Sequence, residues 1–164
     1  MSFSLHPQFF DILFISKLKV TQVFKDVLGL YDLNHISINR VINNEQLLTL
    51  SSTPAMEFNL FKSNFWHFDK TYNLEWVCHE KASNWQNLYE PEYFDELYYL
   101  KQLKPNFYTA YSVPIKTANE FYIYSLASHQ KYETSELSNH LEVYTKIGQY
   151  CASLLSPLLE EFKL

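Results

Sequence analysis

Residues Tyr111 to Ser128 read YSVPIKTANEFYIYSLAS, two strand-like runs joined by a short turn. In the first run and the residues before it, Tyr111, Val113 and Ile115 alternate with Tyr108, Ala110, Ser112 and Pro114. In the second, Phe121, Ile123, Ser125 and Ala127 alternate with Tyr122, Tyr124 and Leu126. Successive strand side chains point to opposite faces, so a sheet wetted on one side shows one polar row. Both rows here are largely apolar, which predicts a sheet with helices on both faces. Pro114 has no N–H to give to a ladder and is expected at an edge or a bulge.

The flanking sequence supplies those helices. From Pro7 to Tyr31 the positions Phe10, Leu13, Phe14, Leu18, Val20, Val23, Phe24, Val27 and Leu28 recur at three and four, the pattern of one amphipathic helix stopped at Gly29. NHISINRVINNEQLLTLSS reads as strand, turn and strand, with Ile36, Ile38 and Val41 toward the core and Asn43-Asn44 suited to a tight turn. Pro54 to Phe65 is a short helix with Met56, Leu60 and Asn64 on one side and Phe58, Phe61 and Phe65 on another. Trp66 to Leu88 is irregular, carries all three tryptophans and has the length of a binding segment. Pro91 opens a further helix with Phe94, Leu97, Tyr98 and Leu100 on its apolar side. Thr134 or Ser135 caps a last helix carrying Leu137, Leu141, Tyr144, Ile147, Cys151, Leu154, Leu155 and Leu158, which Pro157 should kink, or restart with Ser156 as cap. The sum is one domain over residues 1–164, an α+β fold. Its expected form is an α/β/α sandwich around a mainly antiparallel sheet of about five strands, of the PAS-like or GAF-like kind.

Composition narrows the function. With 13 basic and 18 acidic residues the net charge is −5, and Arg40 is the single arginine, so direct nucleic-acid binding is not expected. No segment reaches the roughly 20 apolar residues of a membrane span, and the start lacks a signal peptide's basic region and cleavage site. Cys78 and Cys151 are isolated thiols, which fits a cytoplasmic setting. His67, Asp69, Cys78 and His79 are zinc-ligand types. Their spacing fits no standard zinc pattern, and adjacent Cys78 and His79 would point to opposite sides of an extended chain. The same geometry argues against a Cys-His hydrolase, and two glycines leave nothing for an oxyanion turn or a phosphate loop. Neither enzyme, metal nor cofactor is expected. Tyr98, Tyr99, Tyr108 and Tyr111 read as core or interface.

The hairpin AYSVPIKTANEFYIYSLAS resembles that of the N-terminal autoinducer-binding domains of LuxR-type quorum-sensing regulators. There, glycine, apolar, hydroxyl, apolar and proline precede a turn and a Ser/Thr-apolar-Ala-Ser strand. NFWHFD followed by SNW is similar to the family's approach to a ligand-binding aspartate and a tryptophan beyond it, and TKIGQYCASLL to its dimerising helix. The resemblance implies that Asp69 accepts a hydrogen bond from a ligand amide, that Trp85 walls the pocket, and that Ser125 offers a hydroxyl. Met56, Leu60, Phe61 and Tyr111 complete the expected lining, and Ile147, Cys151 and Leu154 the expected dimer interface. The implied partner is a small apolar acyl-type signal, bound by a homodimer.

The chain departs from the family at Lys70, where proline follows the aspartate, and at Ala110, where glycine stands. Met56 and Leu60 replace the pocket's tryptophan and tyrosine, and Thr53 a further tyrosine. These changes remove donors to the lactone and amide, so an acyl-homoserine lactone is doubtful and a more apolar ligand, or none, is expected. The family's helix-turn-helix would follow Leu164. The chain is then either the sensor part of a longer regulator or a stand-alone sensor. A stand-alone copy could pair with full-length relatives and silence them, since dimeric readers need two heads.

Overall fold

The computed structural model of the chain describes residues 2–79, 81–118, 120–132 and 134–162, and for Thr134, Ser135 and Leu137 the backbone alone. The expected cap at Thr134 or Ser135 and the stripe position Leu137 therefore lie outside the described side chains.

The described strands are β1 (Ser4–Leu5), β2 (His35–Ile42), β3 (Gln46–Ser51), β4 (Ser83–Asn84), β5 (Thr109–Lys116) and β6 (Phe121–Ser128), in one sheet of order β1-β3-β2-β6-β5-β4. The β2-β3 and β5-β6 hairpins are those read from the sequence. Asn43 and Asn44 make the first turn at φ of 54° and 58°, a region that asparagine tolerates better than most residues. The two hairpins join through antiparallel β2 and β6, with Ser37 opposite Ser125. At the margins, β1 runs parallel to β3 and β4 runs antiparallel to β5. Each is two residues long, too short to show a period. Pro114 lies beyond the last β4 pairing at Ser112, on the stretch of β5 that β4 leaves open, as its missing N–H requires.

Helices cover both faces. The expected single helix from Pro7 to Tyr31 is instead two, α1 (Phe9–Leu13) and α2 (Leu18–Val27): α1 contributes to both sides of the sheet, Ile12 joining the α2 side, while α2 keeps to one. Phe9 and Leu13 pack with Leu47, Leu60 and Phe61, whereas Val20, Val23, Phe24 and Val27 pack with Ile36, Ile38 and Leu155. Gly29 follows α2 with φ of 95°, where a side chain would be strained. On the same side lies α6 (Thr134–Glu160), contributing Tyr144, Ile147, Cys151 and Leu155. A Cβ on Gly148 would stand 2.5 Å from Tyr124 Cδ2, so the glycine is what lets α6 lie this close to β6. The helix does not restart at Ser156: α6 is one continuous helical segment through Pro157, and Ser156 Oγ donates to Ser153 O (3.4 Å), the carbonyl that proline's missing amide leaves open. Arg40 ties this face to the end of α6 through Glu120 and Glu160.

The opposite face carries α3 (Pro54–Lys62), the short α4 (Leu74–Val77) and α5 (Phe94–Tyr98), which passes directly into a π-helical turn, Tyr99–Leu103. Between α3 and α5, the segment read as irregular is a series of 3-10 turns, with α4 and β4 among them, held to the rest by backbone bonds such as Glu90 N–H to Phe68 O (2.9 Å). No helix among the described residues is long and apolar enough to cross a membrane.

Candidate functional site

Asp69 stands between two of these turns, Phe65–Phe68 and Lys70–Tyr72, and its backbone bridges to Tyr89. Its Oδ1 accepts from the Thr71 amide (3.0 Å), an Asx turn that fixes the carboxylate inward. Trp85 begins the turn after β4, where Asn84 Oδ1 accepts from the Gln86 amide (2.9 Å). Both side chains are buried, Asp69 at 1% exposure and Trp85 at 0%.

Between them lies Lys101, itself 1% exposed. Its Nζ donates to Asp69 Oδ2 at 2.6 Å and sits 4.1 Å from the Trp85 ring centre, 5.5 Å from that of Tyr89 and 5.6 Å from that of Tyr72. An ammonium against a carboxylate and ring faces is stabilised by charge and by the ring quadrupoles together. The π-helical turn makes this possible by turning consecutive Lys101 and Gln102 inward. Gln102 anchors it, accepting from Tyr89 Oη (2.8 Å) and donating to Phe107 O (3.1 Å). Burial, with Asp69 adding to it, raises the Tyr72 and Tyr89 phenols well above their ordinary pKa, so both rings stay neutral.

The sheet beneath is a row of small hydroxyls: Ser51, Ser37, Ser125, Ser112 and Ser83 lie opposite one another across β3, β2, β6, β5 and β4. Thr71 Oγ1 meets Ser112 Oγ at 3.2 Å, and Ser51 Oγ donates to Glu57 Oε2 at 2.8 Å. Glu57 and His35 are also fully buried. Burial pushes the Glu57 carboxyl up to about 8, against the opposing pull of Ser51 and Lys101. Burial and then the Lys101 charge push the His35 imidazole down to about 3. Their 3.5 Å contact therefore joins a neutral acid to a neutral ring near pH 7. His35 Nδ1 shares a 2.5 Å hydrogen bond with Thr53 Oγ1, while Trp85 Nε1 is buried without a partner among the described residues.

Met56, Leu60, Phe61 and Trp85 share one apolar cluster on this face, with Asp69 beside it and Ser125 in its floor. Tyr111 is not brought there: it belongs to the cluster on the α6 side. Of the expected dimer residues, Cys151 is wholly covered within the chain and Ile147 is 8% exposed; Leu154 is half-buried. Sequence reasoning missed Lys101, Tyr72, Tyr89, Glu57 and His35. Lys101 had a signal, since it continues the spacing of Phe94, Leu97 and Tyr98 and so falls on the buried side of its helix. The metal-ligand types His67, Asp69, Cys78 and His79 do not assemble, and no group of three or more His, Cys, Asp or Glu among the described residues could hold a metal ion.

This open α+β sheet with helices on both faces has the fold of LuxR-type autoinducer-binding domains, at low sequence identity. It superposes on Escherichia coli SdiA with a TM-score of 0.65 and 13% identity over 88% of this chain, which spans 64% of that protein's length. Burkholderia cenocepacia CepR2, described as an N-acylhomoserine lactone dependent LuxR family transcription factor, matches with a TM-score of 0.59 and 12% identity, over 87% of this chain and 96% of that one. The ligand-binding domain of Pseudomonas aeruginosa VqsR matches with a TM-score of 0.55 and 10% identity, over 84% and 89%. No family model and no curated protein matches the sequence.

Proposed function

We propose that this chain is the regulatory domain of a LuxR-type transcription regulator, a non-catalytic module that pairs with a second copy through α6 and keeps its signal site occupied with its own Lys101. One observation carries the reading: where the resemblance puts a ligand amide against Asp69, the donor is Lys101 Nζ at 2.6 Å. A neutral acyl-homoserine lactone would have to displace that ammonium and leave Asp69 buried without a cation, at a cost of about 3–5 kcal/mol. The site does not wait for such a ligand. Pairing would use the outward side of α6, where Tyr150 is 46% exposed, because Ile147 and Cys151 are spent inside the chain.

A second reading, binding of an apolar acyl-type signal, is favoured by a cavity of about 260 Å³ beside Met56, Asn59, Leu100 and Lys104. It lies just below the usual range of small-molecule pockets, about 300–1,000 Å³. It suits a short tail. Native mass spectrometry of the chain, produced without added signal, separates the two. The expected species is a dimer with no added mass; a monomer, or a stoichiometric acyl adduct, contradicts the first reading.

A further inference from the structure

An ammonium group already fits the Asp69 site, and the fit is chemical as well as steric. Asp69 is 1% exposed and has two inward oxygens; the Thr71 amide takes one and Lys101 the other. A buried carboxylate is stabilised by a cation much better than by a neutral donor. The remaining walls say the same. Trp85, Tyr89 and Tyr72 present electron-rich rings at 4.1, 5.5 and 5.6 Å from the nitrogen, an arrangement that attracts cations and offers little to an uncharged amide.

The occupant is also the wall component best placed to leave. Asp69 and Trp85 are fixed by their own turns, and Gln102 is bonded at both ends of its amide. Lys101 is held by its head group, on a turn whose neighbours Tyr99 and Leu103 are 53% and 54% exposed. The 260 Å³ cavity touches the same turn at Leu100, one residue before Lys101.

We propose that Asp69, Tyr72, Trp85 and Tyr89 form a binding site for a primary alkylammonium, that Lys101 is its tethered occupant, and that an external amine competes with Lys101 for it. This rests on the self-occupied site proposed above and adds the ligand class. Exchange of Lys101 for an amine keeps Asp69 neutralised, which a neutral signal cannot do.

The test is thermal unfolding with tryptophan fluorescence on the wild-type chain, K101A, K101M and the double variant D69N/K101A, titrated with n-propylammonium chloride or 1-propanol. In K101A the propylammonium replaces the lost side-chain atoms one for one. It is expected to raise the midpoint saturably, at concentrations about tenfold or more below those needed with the wild type, whose own lysine competes. Propanol should do nothing comparable, D69N/K101A should not respond, and K101M, with its cage filled by a neutral chain, should not respond either. If K101A is insoluble, its refolding yield with and without propylammonium is the readout. Equal effects of amine and alcohol, a response surviving in D69N/K101A or K101M, or no response in K101A would each overturn the proposal. Such a failure is distinguishable from failure of the regulatory reading: a ligand-free dimer in native mass spectrometry leaves that reading standing, whereas a bound acyl adduct removes it.

Discussion

The two faces of this sheet are built of different materials. Toward α2 and α6 the interior is mainly aliphatic side chains and aromatic rings, and among the described residues the ion pairs of Arg40 there reach water at Glu160, which is 56% exposed. Toward α3 and α5 the interior holds Asp69, Lys101, Glu57 and His35, none more than 1% exposed. Away from the Arg40 pairs, the first face is held by apolar packing. Charges on the second face cost desolvation that apolar packing would avoid, a cost that the function proposed above would account for.

The largest expected effect is on the polar face. Asp69→Ala strands Lys101 and should cost about 3–5 kcal/mol in urea unfolding, with Lys101→Met costing a similar amount by stranding Asp69. The double variant D69N/K101M should recover most of it; a double variant as unstable as the sum of the singles would break the contrast between the faces. On the dry face, Gly148→Leu drives a side chain into Tyr124 and should cost about 1–3 kcal/mol. Combined with Asp69→Ala it should be additive to within about 0.5 kcal/mol, since no residue is shared.

A smaller, pH-dependent effect belongs to the neutral pair. Glu57 is raised from 4.5 to about 8, so its contribution is complete below pH 4.5 and lost as pH rises toward 8. His35 is lowered from 6.5 to about 3, so its contribution is complete above pH 6.5 and lost as pH falls toward 3. Between pH 4.5 and 6.5 the two slopes oppose each other. Stability should therefore rise from pH 3 to 4.5, stay level to 6.5 and fall to 8, with limiting slopes of about 1.4 kcal/mol per pH unit. Glu57→Gln should abolish the fall above pH 6.5. Ser125→Ala should matter least, by about 0.5 kcal/mol in the same assay, because Asn39 Nδ2 reaches Ser125 Oγ only at 3.4 Å and also bonds Ile123 O at 3.0 Å.

The contrast also explains what the sequence reveals. Both hairpins are legible because alternation and the Asn43-Asn44 turn are local signals, and apolar rows on both faces announce two helical layers. The break between α1 and α2 is not local. Phe14 and Leu18 continue the helical spacing, and only the sheet's edge decides that Phe9 and Val23 serve different faces. At the site, the aromatic run before Asp69 and the tryptophan at Trp85 are visible as motifs. Lys101 is harder to see, since lysine is ordinarily a solvent residue and its counter-charge lies 32 positions away. Alternation does separate Tyr111 from Ser125: Ser112, not Tyr111, lies opposite Ser125, and the sheet divides them.

In the function proposed above, Lys101 fills the site that a signal would occupy. A high-resolution crystal structure of the wild-type chain, purified without added signal, would show that occupancy or its absence. The expected result is continuous side-chain density placing Lys101 Nζ within hydrogen-bond distance of Asp69 and over the Trp85 ring. Lys101 turned out to solvent, with separate density for another molecule between Asp69 and Trp85, would contradict it.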